Sequence, residues 1–148
     1  MRLSLDPAEL TAVLRAQVRQ VTAVRVTNAR QLEIDVTLHV GPIGVDGTAT
    51  IAAFEVERGR LIADAVVHTG RMRAPGMAVR VALAKLWHPR RSSLPRGLVD
   101  MHVDGSRLRV EIDLGVVADI VERAAGVRLT VHRVEIGPEL VVVGTLAN

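Results

Sequence analysis

The chain is 148 residues long, 49% hydrophobic and 24% charged, with one Phe, one Trp, no Tyr and no Cys. That length suits a single domain over residues 1–148 with a real core, and the missing cysteine excludes disulfides, a thiol nucleophile and thiolate metal sites. The formal charge is +3, from 19 basic and 16 acidic residues, but the excess is local: His68–Gly97 holds seven Arg or Lys and no acid, leaving the rest at −4 (12 against 16).

Asp6-Pro7-Ala8-Glu9 reads as a helix start, with Asp6 as cap, Pro7 at the first turn and Glu9 completing a capping box. Leu10, Val13, Leu14 and Val18 then recur at helical spacing, to about Gln20. Val24 and Val26 begin β structure, and Asn28-Ala29-Arg30 reads as a turn. Leu32, Ile34, Val36, Leu38 and Val40 alternate with polar residues, the mark of a half-buried strand. Gly41-Pro42-Ile43-Gly44 interrupts it. Strands are expected over Thr48–Glu57 and Leu61–Val67, joined by a turn at Arg58-Gly59.

In the basic segment, Pro75-Gly76 opens a helix that His88-Pro89 closes. Val79, Leu83, Leu86 and Trp87 share one face, Met77, Val81 and Ala82 widen it, and Arg80 and Lys85 lie off it. Pro89 to Gly97 reads as a basic loop. Leu108, Val110, Ile112 and Leu114 alternate in the next hairpin. A helix from about Val116 to Ala125 places Val117, Ile120, Val121 and Ala124 together and stops at Gly126. Strands over Val127–Ile136 and Leu140–Leu146 close the chain. The order α-ββββ-α-ββ-α-ββ with short turns implies an α+β domain built on a curved antiparallel sheet. Leu32, Ile34, Val36, Leu38, Leu108, Val110 and Ile112 should point to one apolar interior.

In three features the chain resembles bacterial TULIP-type (tubular lipid-binding) domains. The helix LDPAELTAVLRAQV leads into a hairpin, a central helix follows the first meander, and VDMHVDGSRLRVEIDL through GVRLTVHRVEIGPELVVVGTL gives a strand–helix–strand close. The resemblance implies that the curved sheet is wrapped around a long helix with an acyl chain held between them, and it brings no catalytic residues. On it, Leu14, Leu38, Val79, Leu83, Leu86, Val110, Ile112 and Ile120 are expected to line an aliphatic groove. An interior without aromatic rings also suits alkyl chains better than polar recognition.

Nothing else reads as chemistry. No Ser stands in a nucleophile elbow and no phosphate loop occurs. Asp100, His102 and Asp104 share one strand face and could ligate a metal, but a solvated polar face explains them better, because such sites usually draw on more than one element. Glu33/Asp35 and Glu111/Asp113 read as solvated faces too, so no enzyme activity, metal or cofactor is expected. The basic segment, with Arg71, Arg73, Arg80, Lys85, Trp87, Arg90, Arg91 and Arg96, is expected to meet anionic headgroups at a membrane surface. A nucleic-acid-binding module and a homo-oligomerising interaction domain stay open beside it. The partners are then a lipid or other apolar small molecule, an anionic membrane surface and a second copy. MRLSLDPAEL does not read as a signal peptide, no apolar run approaches the roughly 18 residues of a membrane span, and the expected location is cytoplasmic.

Overall fold

Ten strands and three helices make up the fold in a computed structural model, which describes residues 1–40, 42–87 and 94–148. In chain order they are β1 (Arg2–Leu5), α1 (Pro7–Gln17), β2 (Val21–Val26), β3 (Leu32–Val40), β4 (Ile43–Glu57), β5 (Arg60–Thr69), β6 (Met72–Arg73), α2 (Gly76–Leu86), β7 (Val99–Asp104), β8 (Arg107–Asp113), α3 (Leu114–Ala125), β9 (Arg128–Ile136) and β10 (Leu140–Ala147). All strand pairs are antiparallel. They form a large sheet, β2-β3-β4-β5-β8-β7 with β6 on β5, and a small one, β1-β10-β9. The α+β class therefore holds, with two strands, β1 and β6, added to the expected order. Each is too short for its alternation to register in sequence: four residues in β1 and two in β6. The long helix expected at the centre is not among the described residues. The helices have 11, 11 and 12 residues, at most about 18 Å at 1.5 Å per residue.

Register aligns the apolar set of the large sheet. Leu32 pairs with Ile51, Ile34 with Ala49, Ala65 with both Ile51 and Leu108, Ala63 with Val110, and Leu61 with Ile112. Val99, Met101 and Val103 of β7 extend the same face. The opposite face carries Glu33, Asp35, Thr48, Arg109 and Glu111, as the alternation expects. Leu10 of α1, Val21, Val24, Leu32, Ile51, Ala63, Ala65, Val134 and Leu140 form the buried cluster, with Ile34, Val36 and Leu108 packed on it. Burying this aliphatic surface drives the fold, at about 25 cal/mol per Å² of apolar area removed from water.

Local chemistry sets the helix boundaries. Asp6 accepts from the Glu9 amide at 2.7 Å, and the Glu9 side chain accepts from the Asp6 amide. Thr11 Oγ1 accepts from the Val24 amide, and Arg15 donates to the carbonyls of Val21 and Thr22, so α1 is tied to β2. Asp113 caps α3, accepting from Gly115 and Val116, and Gly126 ends it at φ 72°. That cap starts α3 two residues earlier than expected. Its inward stripe becomes Leu114, Val117, Ala118 and Val121, while Ile120 and Ala124 face solvent. Arg128 at the start of β9 bonds Glu122 and Asp119 of α3, and both bonds hold its guanidinium pKa above the usual value.

Strand β4 carries a bulge. Ile51 opposes Ala65 and Phe54 opposes Ala63, so Ala52 and Ala53 stand across from the single residue between. The extra residue returns Phe54 to the apolar face, where it packs against the core.

Candidate functional site

The β6–α2 part of the basic segment presents two surfaces. On the inward side of α2, Val79 is buried and Ala82, Leu83, Leu86 and Trp87 are half-buried. Gly76 lies against the β7–β8 turn, where an added Cβ would come within 3.1 Å of Gly105. Of the three residues expected to widen the inner face, only Ala82 joins it, and Met77 and Val81 point outward. Met77 is 79% exposed and Val81 53%, and Met72 of β6 is 74% exposed. Arg71, Arg73, Arg80 and Lys85 are exposed among them, as is Arg96 beyond. Among the described residues every ion pair lies outside residues 68–97. Unlike α1 and α3, α2 has no side-chain cap, and no acid stands in its first turn, so its N-terminal dipole adds uncompensated positive potential. Arg90 and Arg91 lie outside the described residues.

A cavity of about 750 Å³ opens between β4, the β9–β10 turn and the β2–β3 turn. Phe54, Val134, Ile136 and Val141 give it an apolar floor continuous with the core, and Ala52 and Ala53 of the bulge form one wall. Arg2, Arg30, Glu135 and Glu139 stand around it. Glu135 is paired with Arg133 at 2.6 Å. Arg2 and Arg30 are exposed and make no ion pair among the described residues.

The eight expected groove residues fall elsewhere. Leu14 and Leu38 are half-buried on α1 and β3, Val110 and Ile112 are half-buried on β8, Val79, Leu83 and Leu86 face inward on α2, and Ile120 is exposed. None of them lines this cavity. The cavity residues come from β1, the bulged β4, β9, β10 and two turns, and pattern reading did not bring them together. One signal was present: apolar positions fall on odd numbers at Ala49 and Ile51 but on even numbers at Phe54 and Val56. That phase slip marks the bulge.

A third cluster joins Asp100 and His102 of β7 to Glu111 of β8, with candidate ligand atoms within 4.8 Å of one another. It draws on two strands, the condition the sequence left unmet, and Asp104 is not part of it. His102 Nε2 lies 3.1 Å from Asp100 Oδ2. Glu111, however, is held by Arg60 at 3.1 Å and Arg109 at 3.3 Å. These bonds make Glu111 part of a cross-strand ion-pair network with Arg60 of β5.

No family model, curated protein or solved structure matches the chain.

Proposed function

We propose that this chain is a non-enzymatic lipid-contacting module whose β6–α2 surface docks on anionic membrane and which takes up a lipid-like ligand. One observation carries the reading: Met72, Met77 and Val81 project into solvent amid Arg71, Arg73, Arg80 and Lys85 in a stretch without acids. Apolar side chains flanked by cations are what an interfacial element needs, with the methyl and thioether groups entering the acyl boundary and the cations meeting headgroups. Each cation near such a surface contributes about 1 kcal/mol at physiological salt. Helix α2 is too short to cross a bilayer, and among the described residues no helix is long and apolar enough to do so.

The uptake of an apolar ligand is supported by the large sheet. Its apolar face runs on beyond the core cluster through Val110 and Ile112 to Val99, Met101 and Val103, all only half-buried. The likeness to tubular lipid-binding domains belongs to this reading and rests on the order of elements. Nucleic acid fits less well. A single-strand binder uses exposed aromatic platforms, and the chain's two aromatic residues, Phe54 and Trp87, are both half-buried.

Cosedimentation with phosphatidylcholine vesicles of rising anionic lipid content, beside a nucleic-acid gel shift, tests the reading. Binding should grow with anionic lipid, weaken in high salt, and fall at least tenfold when Arg71, Arg73, Arg80 and Lys85 are changed to Ser. Binding to nucleic acid alone, or vesicle binding indifferent to lipid charge, would overturn it.

A further inference from the structure

We infer that the cavity beside the β4 bulge is a binding site for a single-chain amphiphile with an anionic head, its tail on the Phe54–Val134 floor and its carboxylate or phosphate met by Arg2 and Arg30. The inference rests on the lipid-contact reading and adds a place and a chemical class for the ligand. The volume of about 750 Å³ lies within the roughly 300–1,000 Å³ usual for small-molecule sites. The floor is apolar and already part of the core, so a tail laid there leaves water without disturbing any buried polar group.

The wall is shaped by the bulge. Ala52 and Ala53 place only methyl groups where a larger side chain would fill the space. Charge at the mouth then selects the head. Glu135 is compensated by Arg133, which leaves Arg2 and Arg30 against Glu139 among the unpaired charges lining the site. The balance is positive. A cationic head would be repelled, and a neutral alcohol could accept only a weaker, single bond from a guanidinium. A carboxylate or phosphate can take paired N–H bonds from one.

Arg30 also makes a clean test possible. Its φ is 57° in the β2–β3 turn, a conformation that glycine adopts without strain, so Arg30→Gly removes the charge and keeps the turn. Titration calorimetry in vesicle-free buffer, below micelle formation, would compare decanoate, decyl phosphate and decanol. Both anions should bind at least tenfold more tightly than decanol. The double variant Arg2→Ser/Arg30→Gly should bring them to the decanol level, and Ala52→Leu should weaken all three. Decanol binding as tightly as decanoate, an unchanged double variant, or no binding of either anion would overturn the proposal. The Met77→Ser/Val81→Ser variant separates the two claims, because it should lose vesicles yet keep decanoate. Decanoate bound by a protein that ignores anionic vesicles would sink the docking reading alone. Vesicle binding without decanoate binding would sink this proposal alone.

Discussion

Gly144 stands where β10 shifts register against β9, between Val143↔Arg133 and Gly144↔Val131. A Cβ there would overlap the Thr130 carbonyl oxygen, and the Gly144 backbone also exchanges hydrogen bonds with Met1. Gly144→Ala should therefore destabilise the protein by about 1–3 kcal/mol, the usual cost of overpacking, as a drop in thermal midpoint by circular dichroism. An unchanged midpoint would mean that the small sheet yields at this point. Asp6 acts through a simpler interaction, its bond to the Glu9 amide. Asp6→Ala should cost about 1 kcal/mol, typical of a lost N-cap, and a urea titration would measure it. The Asp6 box is legible because cap, proline and glutamate are neighbours in sequence. Arg2 and Arg30 are not legible as a pair, because only the sheets bring β1 and the β2–β3 turn to one cavity.

At the scale of elements, α2 carries two apolar stripes; the inner one is legible in sequence from its spacing, and the exposure of the outer one is not. Val79, Leu83 and Leu86 face inward, while Met77 and Val81 cover nothing. Met77→Ser/Val81→Ser should thus leave folding stability within about 0.5 kcal/mol, as for ordinary surface changes, while vesicle affinity falls at least tenfold. A large stability loss would place these side chains in the fold rather than on a docking face. Strands reveal themselves more fully than helices here, since alternation in β3 and β8 assigns a face outright. The phase of α3 depended on Asp113 serving as its cap, and an aspartate ending the run Arg107–Asp113 looks the same as one more polar strand position.

For the whole molecule, charge is unevenly placed. Carboxylates pair with arginines across the polar face of the large sheet, as in Arg25 with Glu33 and Asp35 or Arg60 with Glu111, whereas residues 68–97 carry cations alone. Repulsion within such a patch is modest because water and salt screen it over about 8–10 Å. The same patch orients the protein on approach to an anionic surface, with α2 and β6 leading. The absence of cysteine allows that orientation to be read directly. Met77→Cys can carry a single environment-sensitive fluorophore, and Thr22→Cys, at an exposed position of β2, a control. On vesicles rich in anionic lipid, the docking account predicts a blue-shifted, brighter emission at position 77, reversed by high salt, with little change at position 22. Equal shifts at both positions, or none at position 77, would contradict it.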